Sequence, residues 1–176
     1  MQLTIGATRE IFRATAIEDD SFGLLASSVA HVASGGMLSS VLWGDEPGGF
    51  FIDLARSGPQ HSALVIHEMA SPGWLTPEDP PWTPLRGKPL LAARILSLPF
   101  LQAFVDGFSA IIPLVDESGK IKGWGHSFPF RQVEIVQHRI EQLRANWIRF
   151  RHKASDPDHY REIGFAMRTI RHTFAV

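Results

Sequence analysis

The chain has no cysteine among its 176 residues. That excludes a disulfide framework, a thiolate zinc site and a cysteine nucleophile. It lacks a basic start followed by an apolar core at the amino terminus, so no signal peptide is expected. No apolar run is read as reaching the roughly 18 residues that cross a bilayer. Large net charge is missing too: 17 Lys and Arg stand against 18 Asp and Glu. A near-neutral chain is a poor polyanion binder, so nucleic acid is an unfavoured partner and no membrane is expected. No Gly-x-Ser-x-Gly elbow, phosphate loop, internal repeat or low-complexity tract occurs. These absences leave a cytoplasmic globule of ordinary composition, 44 % hydrophobic and 20 % charged, long enough for one domain with its own core. We expect no cofactor and no metal; the oligomeric state is open.

What is present is organised around residues 37–69. Met37 to Trp43 is apolar and partly β-branched, as a strand with a buried face should be. Gly44-Asp45-Glu46-Pro47-Gly48-Gly49 supplies a hairpin loop, with Pro fixing φ, Gly permitting positive φ and two acids staying in water. Phe50 to Arg56 returns, with Phe50, Ile52 and Leu54 on one face and Phe51, Asp53 and Ala55 on the other. After the turn Ser57-Gly58-Pro59-Gln60, His61 to Met69 is a third strand. It places Leu64 and Ile66 opposite in sense to His61 and His67. Such a meander has one face for a core, and helices must cover it.

Around this centre, Gln2–Ile5 is a short strand and Thr8–Ala16 is open between strand and helix. Asp19 or Asp20 caps a helix carrying Phe22, Leu25, Val29 and Val32 at steps of three and four, closed by Gly35-Gly36. Residues 70–89 carry six prolines, which excludes regular helix or central strand. Leu90–Leu96 is a candidate fourth strand. Ser97-Leu98-Pro99 then starts a helix, with Ser as the cap, bearing Phe100, Phe104, Phe108 and Ile111 and ended by Pro113. Asp116-Glu117-Ser118-Gly119 is a turn and Lys120–Trp124 a further candidate strand. Phe128-Pro129-Phe130 opens a long helix striped by Val133, Val136, Ile140, Leu143, Trp147 and Phe150. Ser155–Asp158 breaks it, and a last helix carries Tyr160, Ile163, Met167, Ile170 and Phe174. The expected fold class is therefore α+β: an antiparallel sheet of four to six strands packed on three to four helices, with the two longest at the carboxyl end. A single domain, 1–176, would comprise a sheet-containing part, 1–128, and a carboxyl-terminal helical pair, 129–176. Charge is split along it: residues 1–128 hold 8 basic and 13 acidic side chains, whereas 129–176 hold 9 and 5.

Five groups of residues carry candidate chemistry. His61 and His67 lie six residues apart on one strand, about 20 Å at roughly 3.3 Å per residue, too far to share a metal. Asp53 lies opposite Ile52, where the next strand brings His61 or His67 beside it; an Asp–His pair can orient an imidazole as a general base, and cross-strand pairs of this kind are also structural. Trp124 and His126, in Gly123-Trp124-Gly125-His126-Ser127, form the most site-like loop, since flanking glycines permit tight turns or close ligand approach. Arg144, Arg149, Arg151, His152 and Lys153 interleave with Trp147 and Phe150, but those aromatics fall on the apolar stripe and belong with a core. Asp53, His67, Trp124 and His126 together would line a pocket between the meander and the Pro-rich loop. The acids Asp45, Glu46, Glu78 and Asp79 fall in loops, the last two between Trp74 and Trp82. Those indoles either seal the core or form a recognition platform; the burial tendency of Trp favours sealing.

The order of meander (Met37–Met69), aromatic Pro-rich loop, middle helix (Leu98–Ile112), Gly123-Trp124 and then Phe128-Pro129-Phe130 before a closing helix resembles that of bacterial immunity proteins made against polymorphic or contact-delivered toxins. The resemblance is one of layout across about two-thirds of the chain and transfers no binding residue. It implies a cytosolic, non-enzymatic protein that neutralises a cognate toxin by direct binding, for which Asp45, Glu46, Trp74, Glu78, Asp79 and Trp82 are the candidate partner-binding residues. The last helix has no counterpart in that layout. The alternative is a small enzyme or ligand-binding domain using the pocket of Asp53, His67, Trp124 and His126.

Overall fold

A computed structural model describes residues 2–5, 8–11, 20–45, 48–70 and 85–154, with side chains described over 20–44, 49–70 and 85–146. The chain divides into two compact units, Met1–Arg139 and Ile140–Val176. The first unit opens with β1 (Gln2–Ile5) and β2 (Thr8–Ile11), an antiparallel pair of their own. Helix α1 (Ser21–Ala33) follows, then β3 (Leu38–Asp45), β4 (Gly48–Arg56), β5 (His61–Ala70) and β6 (Leu85–Leu96). These four form one antiparallel sheet in sequence order. Helix α2 (Ser97–Ser109), a 3₁₀ turn (Ile112–Leu114) and helix α3 (Phe130–Ala154) complete the described elements. α3 passes from the first unit into the second, whose described part is residues 140–154. The α+β class is thus observed, with a four-stranded sheet and three α-helices among the described residues. The last helix expected over Tyr160–Phe174 lies outside them.

Alternation decides which face of the sheet is core. Val41 and Trp43 on β3, Ile52 and Leu54 on β4, Leu64 and Ile66 on β5 and Ile95 on β6 are buried. Their registers, Val41 with Ile52 and Ile52 with Ile66, place them on one face. α1 covers that face with Leu25, Ala26, Val29, Ala30, Val32 and Ala33. Asp20 starts α1 by accepting the Gly23 N–H at 2.9 Å, and Gly35, at φ 110°, leads the chain out.

An aromatic chain joins the covering helices to the sheet. Phe22 of α1 meets Trp43 at 5.5 Å, Trp124 at 5.1 Å and Phe108 of α2 at 6.1 Å, all edge to face. Phe108 in turn meets Phe128, just before α3, and Gln132 of α3 donates to Ser27 of α1 at 3.4 Å. All three helices therefore begin or pack on the same side of the sheet.

Three local expectations are corrected. Ser97 does not cap α2: Leu96 holds the cap position, and the Ser97 hydroxyl instead pairs with that of Ser62 at 3.2 Å, fastening the helix start to β5. Lys120–Trp124 is no strand; isolated bridges tie Val115 to Ile121 and Lys120 to Ser127 in a series of turns whose Gly119, Gly123 and Gly125 take φ near 80°. The expectation that no apolar run reaches about 18 residues is corrected as well: the window Ser97–Leu114 does so by length and composition, with 17 % of it buried. Its α-helical part is 13 residues, about 20 Å at 1.5 Å per residue, well short of a hydrocarbon core of about 30 Å.

Candidate functional site

The site grows from an irregularity in β6. Against β5 the register runs evenly from His61–Leu96 to Ile66–Leu91, then shifts, so that His67 faces Pro89 and Met69 faces Arg86. Two bulges absorb the extra residues of Gly87 to Leu90, and they do so at an edge, where Pro89 deprives no neighbour of a hydrogen bond. Glu68 braces the bulge by accepting the Lys88 N–H at 3.3 Å. A Cβ on Gly87 would stand 3.0 Å from the Glu68 side chain, so the strand passes there only as glycine or with a shift.

This turn of the strand directs Arg86 across the sheet face away from the helices. Its Nε donates to one Asp53 carboxylate oxygen at 2.8 Å and Nη2 to the other at 2.9 Å, a bidentate fork. Nη2 also donates to Ser40 Oγ at 2.7 Å. Its guanidinium carbon lies 4.7 Å from the Phe51 ring centroid. His67 stands alongside, Nε2 3.7 Å from Asp53 and Nδ1 3.3 Å from the Gly87 carbonyl. One arginine thus ties β6 to β4 and β3 over the top of β5. Hydrogen bonding from Arg86 holds the Asp53 carboxyl below its usual range, against partial burial that pushes it up; Ser40 and the charges of Arg86 and His67 lower it further.

Around the cluster the face is mixed. Leu42, Ala55, Ala63 and Val65 are half-buried, while Leu38, Ser40, Ala92 and Arg94 are exposed. Arg86 is 47 % exposed at its side chain and Asp53 17 %. Among the described residues no helix covers this face.

Asp53 and His67 are therefore brought together, and His61 is not the partner. Trp124 and His126 are brought together as well, with ring centroids 6.0 Å apart, but on the helix side, where Trp124 packs against Phe22. The four residues of the expected pocket sit in two pairs on opposite faces of the sheet. Among the described residues Trp124 Nε1 is buried without a hydrogen-bond partner. Asp45 ends β3 at the hairpin, opposite Gly48. The side chain of Asp45, and all of Glu46, Trp74, Glu78, Asp79 and Trp82, lie outside the described residues. Among the described residues no three His, Cys, Asp or Glu side chains gather as metal ligands.

Arg86 and Ser40 were not named by sequence. Ser40 was legible as the register partner of Asp53 once β3 and β4 were aligned. Arg86 was hidden inside the Pro-rich stretch, where prolines end a regular strand prediction; the usable signal was an arginine shortly before a proline on an edge. No family model, no curated protein and no solved structure matches the chain.

Proposed function

We propose that the chain is a protein-binding protein that docks its partner on the open face of the sheet, and that the partner is a cognate toxin which it neutralises by direct binding. The observation that carries the binding reading is the face itself. Among the described residues no helix covers it, and it is a mixed apolar and polar surface centred on an arginine held by hydrogen bonds to Asp53 and Ser40. Arginine and aromatic side chains are over-represented at binding hot spots, and a side chain already ordered loses little freedom on docking. Support for a toxin as the partner comes from the order of elements read from the sequence, which resembles that of bacterial immunity proteins.

The same cluster argues for binding over catalysis. Both ring nitrogens of His67 face protein oxygens, and both carboxylate oxygens of Asp53 are engaged by Arg86. A general base needs one of these atoms turned toward a substrate. The acids Asp45, Glu46, Glu78 and Asp79, with Trp74 and Trp82, enter the proposal as a second contact surface for a basic partner.

The test is an affinity capture from host lysate at low and high salt, using the wild-type chain, Ala92→Arg and the charge-reversed Glu78→Lys/Asp79→Lys variant. Ala92 is exposed on the open face, so arginine there obstructs docking without disturbing the core. One stoichiometric protein held by wild type and lost with Ala92→Arg supports the reading. Equal capture by both, or none by wild type, refutes it. Loss with the double reversal alone would move the contact to the loops.

A further inference from the structure

The two edges of the four-stranded sheet are built differently. β6 carries Pro89, two bulges, and the cations Arg86, Lys88 and Arg94, all devices that deter another strand from pairing. β3 has none of them. Leu38 to Gly44 reads Leu-Ser-Ser-Val-Leu-Trp-Gly, eight residues of regular register with Asp45, and uncharged until that last position.

The hydrogen-bond phase of β3 says which of its backbone groups point outward. Met37 O accepts the Arg56 N–H at 2.9 Å, so Ser39, Val41 and Trp43 turn their backbone groups toward β4. Leu38, Ser40, Leu42 and Gly44 turn theirs away from it. Among the described residues no strand pairs with that side. Leu38 is 62 % exposed there and Met37 beside it 69 %.

We infer that the β3 edge pairs with β3 of a second copy of this chain, antiparallel about a two-fold axis centred on Ser40. A symmetric pairing sets a strand against its own reverse, and this strand matches its reverse. Ser40 falls opposite Ser40 and Leu38 opposite Leu42, apolar against apolar on the open face, while Ser39 meets Val41 on the helix face. No charge stands opposite a like charge, which is the arrangement that normally forbids self-pairing. The three outward pairs exchange about six backbone hydrogen bonds. The result is one continuous eight-stranded antiparallel sheet, with both Arg86–Asp53 clusters on the same side. The pairing involves the β3 edge alone and forms whether or not the open face binds a toxin.

The test is the mass of the full chain in solution by sedimentation and light scattering, at about 10 and about 300 μM, the range in which modest interfaces separate. Leu38→Lys puts a cation opposite Leu42 and a second across the axis. Leu42→Pro removes an outward N–H while leaving the bonds to β4. Leu90→Lys, on the opposite edge, is the control. Expected are a wild-type and Leu90→Lys dimer, and dissociation constants raised at least about tenfold in the two β3 variants. Backbone exchange reads the same contact without mutation: the Ser40 and Leu42 amides should be protected at the high concentration and exchange at the low one. A chain monomeric at both concentrations, a dimer indifferent to both β3 variants, or Ser40 and Leu42 amides indifferent to concentration overturns the inference.

Discussion

Replacing Arg86 by alanine separates a structural clamp from a chance surface contact. Its fork meets both Asp53 oxygens, at 2.8 and 2.9 Å, and reaches Ser40 at 2.7 Å. A hydrogen bond to a charged group contributes about 1.5–3 kcal/mol when sheltered. Arg86 is 47 % exposed, so solvent screening brings its pair with Asp53 down to about 1 kcal/mol. The contact with the Phe51 ring adds about 0.5 kcal/mol. Arg86→Ala should therefore cost about 1.5 kcal/mol and Asp53→Ala about 1 kcal/mol, and the double mutant should fall short of their sum by about 1 kcal/mol. Urea unfolding measures all three, with slopes unchanged. Arg86→Lys keeps the charge and loses the planar fork, so it should restore less than half of the loss. A coupling below about 0.3 kcal/mol, or full rescue by lysine, would refute the clamp and with it the idea of a pre-ordered arginine.

Two further outcomes follow from the same geometry. Ile66 is fully buried at the centre of the sheet, so Ile66→Ala should cost about 2–5 kcal/mol in the same urea assay, mostly through the cavity it leaves. Asp53 has a folded-state pKa below its unfolded value of about 3.9, so its contribution is complete above that value and is lost as pH falls through the lower, folded one. The melting temperatures of wild type and Asp53→Asn should thus run parallel from pH 7 to about pH 4 and converge below it; parallel curves down to about pH 2 would contradict that.

The meander was legible in the sequence because its turns and alternation agree. Gly and Pro mark both turns, and the alternation of Phe50 to Ala55 set Ile52 and Leu54 on one face and Asp53 on the other. The contact of Asp53 with His67 rather than His61 followed from register, which no single strand reveals. α1 was legible for a similar reason, with Asp20 at its start and the Leu25, Val29 and Val32 row buried. What escaped was non-local. β6 begins at Leu85 rather than Leu90, because an edge strand tolerates Pro89 with a bulge where a central strand cannot. With the bulges unread, the parity of Arg86 could not be read, and so the centre of the site was missed. The glycines around Trp124 were read as turn residues and do take φ of 78° and 80°. Which face Trp124 and His126 join depended on the packing against Phe22, a contact between residues about a hundred positions apart.

Binding of a protein by the open face of the sheet is directly measurable. The direct test is titration calorimetry of the captured partner against three variants on the two sides of the sheet. Ala92→Arg and Arg86→Glu alter the open face, and Leu24→Glu alters the exposed Leu24 of α1 on the helix side. Binding should weaken at least about tenfold for the first two and stay unchanged for the third, since loss of a hot-spot contact costs about 1.4 kcal/mol or more. Unchanged binding by both open-face variants, with loss in Leu24→Glu, would put the interface on the helices and contradict it.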